Sequence, residues 1–240
     1  MFSIFSRKPK QPVRSLITDM HSHLLPGIDD GVKTNEESFL VIDKLIELGY
    51  EKIITTPHIM VDYYGNTNES VAEAYNNFLP ALRDAGYTIP FQFAAEYYFD
   101  EVFYGRVTSK EKLLTFGDRH FLFETNFLSE PMQLKEMIFA VTSQGYKPIL
   151  AHPERYQYMT IEKVEDLRDR GVLLQINLLS LIGFYGPHIQ KFAEKIINKG
   201  WVDLLGSDCH NAEHAVLLKK VQESKLYHKA LELPLLNFSL

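Results

Sequence analysis

Short apolar runs alternate with amphipathic stretches along most of the chain. The runs cover residues 16–19, 52–55, 91–96, 120–124, 148–151, 173–177 and 202–206. Most are continuously apolar, the pattern of strands covered on both faces. The stretches between them repeat at helical spacing. Ile189, Phe192, Ala193, Ile196 and Ile197 share a stripe over 188–199, and Leu134, Met137, Ile138 and Val141 share another after Pro131, a residue suited to a first helical turn. Thr34 or Asn35 caps a helix that carries Phe39, Ile42 and Ile46 and stops before Gly49. Seven strand–helix alternations predict an α/β fold on a parallel sheet. A doubly wound sheet and a closed barrel both fit this pattern. It shows no internal repeat or linker, so residues 16–240 are expected to form one domain.

What stands at the end of each run separates the two topologies. Asp19, His21 and His23 come at the end of the first and His58 follows the second. The third ends in Glu96 and the fourth in Glu124; His152 follows the fifth, the sixth ends in Asn177, and Asp208 and His210 follow the seventh. Five of the nine histidines therefore stand just past predicted strands. In a closed (β/α) barrel those positions converge on one mouth, where the active sites of that fold lie, so the barrel is the expected topology.

Residues two apart in an extended strand point the same way, which puts Asp19, His21 and His23 on one face and pairs Asp208 with His210. Imidazole with carboxylate suits Mn, Fe or Zn. Eight or nine ligands exceed the needs of one ion, so two or three divalent ions are expected, with Glu96 as the first choice of bridge between ions about 4 Å apart. A buried polar network without metal is the plainer alternative; two imidazoles two apart on an apolar strand argue against it. Asp29-Asp30-Gly31 reads by itself as a turn. His120, His188, His214 and His228 show no such placement.

Composition narrows the function classes. The 240 residues are 45% hydrophobic and 23% charged, ordinary for a soluble globular protein. With 31 acidic against 25 basic residues the net charge is -6, which argues against nucleic-acid binding through a broad basic face. A single cysteine rules out an intrachain disulfide framework. Thiol phosphatase chemistry is set aside as well, because it needs an arginine six positions after the nucleophile, where Ala215 follows Cys209. The opening apolar residues are too few for a secretory signal, and the basic residues follow them. No run approaches the roughly 20 apolar residues of a membrane span. The expectation is a cytoplasmic protein without stable membrane insertion, with a disordered tail over 1–15 that is basic at Arg7, Lys8, Lys10 and Arg14.

In order along the chain, Asp19-Met20-His21-Ser22-His23, Asp29-Asp30-Gly31, Thr56-Pro57-His58, Ala95-Glu96-Tyr97-Tyr98, Glu124, His152-Pro153-Glu154-Arg155-Tyr156 and Ser207-Asp208-Cys209-His210-Asn211 resemble the PHP (polymerase and histidinol phosphatase) superfamily. Within it the likeness is to the manganese-dependent bacterial protein tyrosine phosphatases of capsule and exopolysaccharide loci. The resemblance implies a distorted seven-stranded (β/α) TIM-like barrel, the PHP fold, with a trinuclear metal site. It implies that His21, His23, Glu96 and Asp208 hold the first ion. Glu96 bridges to a second, completed by Glu124 and His152, and Asp30, His58 and His210 hold the third. Mn is the favoured metal, with Fe or Zn as alternatives. Arg155 matches the phosphate-binding arginine. Relatives often carry another arginine shortly after S-D-x-H-N; this chain reads Asn211-Ala212-Glu213-His214-Ala215, and no arginine follows Arg170.

The activity so implied is hydrolysis of phosphotyrosine by attack of a metal-bound hydroxide. The tyrosyl leaving group, with a pKa of about 10, needs little acid assistance. The implied substrate is a phosphotyrosine protein, the tail of a bacterial tyrosine kinase of polysaccharide export. Tyr63, Tyr64, Tyr97, Tyr98, Tyr156, Phe184 and Tyr185 lie near the expected mouth, and Tyr97 and Tyr156 are expected to contact substrate beside Arg155. Residues 59–67 read as a lid or a plain loop. Three alternatives are weaker. A PHP phosphoesterase for histidinol phosphate or a nucleotide often has histidine where this chain has Asp30 and Glu124. An amidohydrolase often has lysine at the position of Glu124. A non-catalytic metal-stabilised module would have no chemical need of the complete ligand set.

Overall fold

The computed structural model describes residues 15–240, so the tail expected over 1–15 lies outside the described residues except for Ser15. Nine strands are formed among the described residues: β1 (Thr18–Asp19), β2 (Lys52–Thr55), β3 (His58–Ile59), β4 (Phe91–Phe93), β5 (Glu96–Tyr98), β6 (His120–Glu124), β7 (Lys147–Ala151), β8 (Leu173–Asn177) and β9 (Leu204–Gly206). They outnumber the seven expected because the second run, intact as β2, is followed past Pro57 by the short β3, and because Ala94-Ala95 divides the third. The broken chain still bonds its neighbours: Thr56 N donates to Ser22 O at 2.7 Å, Ala94 N to Thr55 O at 2.9 Å, and Glu96 N to Pro57 O at 3.0 Å. Every strand pairing is parallel, in the orders β1-β2-β4 and β3-β5-β6-β7-β8-β9. A parallel bridge between Ser22 and Cys209 joins the segments that follow β1 and β9, with His23 N donating to Cys209 O at 2.9 Å and Asp208 N to His21 O at 2.8 Å.

Strand alternation creates two cores. Met20, Ile54, Ala94, Leu122, Ile149, Ala151 and Leu204 cluster on one face of the strands. Phe121, Phe123, Leu150, Ile176 and Leu205 face the helices on the other. Glu124 is two residues from Leu122, so the inward face of β6 passes from apolar to charged at its C-terminal end. The helices are α1 (Asn35–Glu47), α2 (Val61–Tyr64), α3 (Asn68–Asp84), α4 (Glu101–Thr108), α5 (Leu134–Ser143), α6 (Ile161–Asp169), α7 (Pro187–Asn198), α8 (Ala212–Gln222) and α9 (Lys225–Ala230). Thr34 caps α1 by accepting from Glu37 N. Its buried stripe is Ser38, Val41, Ile42 and Leu45, while Ile46 is exposed, so the inward face is rotated from the one expected. α5 buries the four residues expected but begins three positions beyond Pro131, whose carbonyl accepts from Leu134 N. Among the described residues no helix is long and apolar enough to cross a membrane.

Asn237 ties the first strand to the last. It is fully buried, donates to Thr18 O at 3.0 Å and Leu205 O at 2.8 Å, and accepts from Leu205 N at 2.9 Å. Replacing it with leucine leaves three buried backbone groups short of a partner. We expect Asn237→Leu to lower the unfolding free energy by about 2–4 kcal/mol in urea titration. A change below about 0.5 kcal/mol would show that other groups carry this junction.

Candidate metal centre

The nine side chains expected to ligate metal meet at one end of the strands: beyond β1, β7 and β9, at the last residue of β6, at the first residues of β3 and β5, and, for Asp30, in the loop before α1. His21 Nε2 and His23 Nε2 are 3.3 Å apart. Both face Glu96 Oε2, at 3.1 and 3.4 Å, and Asp208 Oδ1, each at 3.4 Å. Separations near 3.3 Å are the edges of a tetrahedron whose centre lies about 2.0–2.1 Å from each corner, the bond length of a metal–imidazole or metal–carboxylate contact. Glu96 Oε1 turns to His152 Nε2 at 3.1 Å. His58 Nδ1 lies 3.2 Å from Glu124 Oε1 and 3.4 Å from Glu96 Oε2. Toward the mouth, Asp30 Oδ1 is 3.5 Å from His58 Nε2 and 3.4 Å from His210 Nε2. Four groups able to hold an ion result: His23, Asp30, His58 and His210; His21, His23 and Asp208; His21, Glu96 and His152; and His58, Glu96 and Glu124.

Three imidazoles are oriented from behind. His21 Nδ1 donates to Gln175 Oε1 at 2.9 Å, His23 Nδ1 to Asp29 Oδ2 at 2.8 Å, and His210 Nδ1 to the Asp208 carbonyl at 2.9 Å. Each bond fixes the tautomer that leaves the Nε2 lone pair facing the centre. His58 Nδ1 is buried without a hydrogen-bond partner while facing two carboxylates, an orphaned nitrogen that an ion would satisfy. Burial alone would raise the carboxyls of Glu96 and Asp208; the neighbouring imidazoles, His21 above all, hold both well below the usual carboxylate range. Burial likewise opposes charge on His21, yet Glu96 and Asp208 push it up to about 9. The pocket is built to attract positive charge, and protons compete with metal ions for the same nitrogens.

Sequence reasoning missed several supporting residues. Asp29, read as part of a turn, orients His23 and also accepts from His58 N at 3.0 Å. Gln175 was discoverable as an amide inside an apolar strand. Asn177, noted at the end of its run, donates to Asp208 Oδ2 at 2.6 Å. Gly31 and Gly206 are required by close approach: a Cβ on Gly31 would lie 2.2 Å from His23 O, and one on Gly206 would lie 2.7 Å from His21 Cβ. His152 and Asp208 have φ of 34° and 52°, in the left-handed region. Asp19, expected on the face of His21 and His23, instead accepts from Ser207 N and Oγ at 2.9 and 2.7 Å, and burial raises it to about 6. Cys209 is fully buried in the wall.

Above the centre opens a cavity of about 330 Å³. Arg155 lines it, donating to Asp208 Oδ2 at 3.0 Å, with its guanidinium 4.8 Å from the Phe127 ring and 4.4 Å from the Tyr185 ring. The expected substrate contacts Tyr97 and Tyr156 do not line it. Glu96 points inward, so Tyr97 must point outward; it is fully buried among helices, its hydroxyl donating to Asn68 Oδ1 and accepting from Leu114 N. Tyr156 is buried with its hydroxyl donating to Ala151 O. The aromatic lining is Tyr63, Tyr64, Tyr98 and Phe127, of which Phe127 was not anticipated; Phe184 packs on His214 instead.

Comparison with known proteins agrees with this geometry. The chain is 27% identical over 204 residues to the tyrosine-protein phosphatase YwqE of Bacillus subtilis, covering 81% of this chain and 78% of that one. It is 26% identical over 227 residues to the putative tyrosine-protein phosphatase CapC of Staphylococcus aureus, covering 92% and 89%. A solved structure from work on YwqE and on CpsB of Streptococcus pneumoniae, described as unique metal-dependent tyrosine phosphatases, superposes with a TM-score of 0.75 at 25% identity, over 90% of this chain and 91% of that one. The model of the family described as "Capsular polysaccharide synthesis, CpsB/CapC" matches residues 17–225, nearly the whole described chain and every member of the centre, and the protein belongs to that family.

Proposed function

We propose that this protein is a metal-dependent protein tyrosine phosphatase of capsule or exopolysaccharide synthesis. The observation that carries the reading is the convergence of nine imidazole and carboxylate side chains under one cavity, with Arg155 at its edge. In this reading residues 16–240 form one domain, the parallel strands closing into a distorted seven-stranded barrel, supported by the Ser22–Cys209 bridge. His21, His23, Glu96 and Asp208 hold one ion; Glu96, Glu124 and His152 a second; Asp30, His58 and His210 a third. Mn suits these oxygen and imidazole donors, as do Fe and Zn.

When bound, divalent ions lower the pKa of water and offset charge on the phosphoryl oxygens. Arg155 binds the remaining non-bridging oxygens through its fork of N–H groups. Asp208 and the two flanking rings fix the guanidinium before substrate arrives, so little ordering is needed at the moment of reaction. Attack of water on phosphorus breaks the bond to the tyrosyl oxygen, giving tyrosine and inorganic phosphate. A phenolic leaving group with a pKa of about 10 departs readily, which fits the lack of an arginine after Asn211 better than an alkyl ester would. The substrate in this reading is a phosphotyrosine protein, the tail of a bacterial tyrosine kinase, met in the cytoplasm. The alternative is a small phosphomonoester such as histidinol phosphate.

The direct test is phosphate release from a phosphotyrosine peptide beside histidinol phosphate, with added Mn and with EDTA. We expect Mn-dependent release that prefers the peptide; preference for histidinol phosphate would move the protein to the alternative. Arg155→Ala should raise KM and cut kcat by about 10²–10³-fold with metal content unchanged, and unaltered kinetics would remove arginine from the mechanism. Because Glu96 and Asp208 hold a proton on His21 up to about 9, an ion must displace it, and metal affinity should rise as pH climbs toward that value. Calorimetry in buffers of different ionisation enthalpy should therefore detect proton release on Mn binding at pH 7. Binding without proton release would mean that the imidazoles are already neutral.

A further inference from the structure

The geometry points to an aromatic clamp, made by Tyr64 and Phe127 with Tyr98 lining the same cavity, that grips the ring of a phosphotyrosine and rejects alkyl phosphates. The inference rests on the phosphatase reading and names its substrate selectivity. Two rings stand directly over imidazoles of the centre. Tyr64 is stacked on His58, with centroids 5.5 Å apart and planes 12° from parallel. Phe127 is stacked on His152, at 5.8 Å and 19°. Glu124 lies between those two imidazoles, its carboxylate oxygens 3.2 Å from His58 and 3.9 Å from His152. The rings thus rise on two sides of the same charged floor. Tyr98, two residues beyond Glu96 on the same strand face, lines the same cavity.

Packing does not account for Tyr64. The single turn α2 that carries it has no buried residue, and neither Tyr63 nor Tyr64 joins the hydrophobic core. The turn is tied down from outside instead: Asn66 donates to His58 O at 2.9 Å and Ile28 O at 2.8 Å, which holds the following chain against the centre. Phe127 is half-buried, packs at the edge of the core against Tyr156, and also covers the Arg155 guanidinium. A charged floor that takes phosphate, walled by aromatic faces, matches an aryl phosphate: the ring gains face and edge contacts that the small aliphatic carbons of serine or threonine cannot make.

The test uses the Mn-loaded protein and binding rather than turnover. Calorimetry compares a peptide bearing phosphonomethylphenylalanine with the same peptide bearing a phosphonate analogue of phosphoserine, and with inorganic phosphate. We expect the aryl peptide to bind more tightly than the alkyl one. Tyr64→Ala should weaken the aryl peptide about tenfold, equivalent to about 1.4 kcal/mol, while inorganic phosphate shifts less than twofold; Phe127→Ala, which also uncovers the Arg155 guanidinium, should weaken both but the aryl peptide by the larger factor. Tyr64→Phe and Phe127→Tyr, which keep the rings, should recover most of the loss. Equal weakening of peptide and phosphate would overturn the clamp, because the rings would then act through His58 or Arg155. Unchanged peptide affinity would overturn it too. A wild-type protein that selects the aryl phosphonate but releases no phosphate from the phosphotyrosine peptide would sink the phosphatase reading and leave the clamp standing.

Discussion

One buried carboxylate organises the centre. Glu96 has no solvent exposure, and its two oxygens lie within 3.1–3.4 Å of imidazole nitrogens from His21, His23, His58 and His152. A carboxylate so placed is tolerated only if positive charge surrounds it. The histidines come from three different parts of the chain, and parallel strand pairing brings them together around this charge. The broken strands make room for the meeting. By letting the chain step between β2 and β3, and between β4 and β5, they set His58 opposite Glu96 in register.

Much of this arrangement was legible before the fold. A run of strand length followed by histidine or carboxylate is a local pattern, and parallel pairing turns six such patterns into one site. Asp30, which reads by itself as a turn, came only from the family resemblance; that logic gathers the other eight of the nine side chains, because it depends only on strand order and direction. It also recovers the α5 stripe, whose apolar positions admit one inward face.

Other features depended on information that spacing does not hold. Tyr97 was misjudged by proximity along the chain, although alternation from inward-facing Glu96 sends it to the helices. Tyr156 sits one residue from Arg155, but the 3-10 turn over Pro153–Arg155 takes its ring into the wall. Phe127 gave no signal, since the loop after β6 has no periodicity. Asp29 and Gln175 look like a turn residue and a stray amide until the partners they orient are in view. The α1 face was rotated because Thr34, Ser38 and the Leu24 carbonyl that Ser38 bonds fix its entry, and polar contacts do not appear in an apolar stripe.

The left-handed backbone at His152 and Asp208 carries a consequence for the evolution of the fold. Residues other than glycine in that region cost of order 1–3 kcal/mol each, and both stand where a strand gives way to the centre. Glycine would relax those two turns, but at position 208 it would also leave Arg155 and the buried side chains of Asn177 and His21 without this carboxylate partner. The backbone strain is therefore tied to the polar cluster, and the two turns and the cluster are expected to change together in the course of evolution.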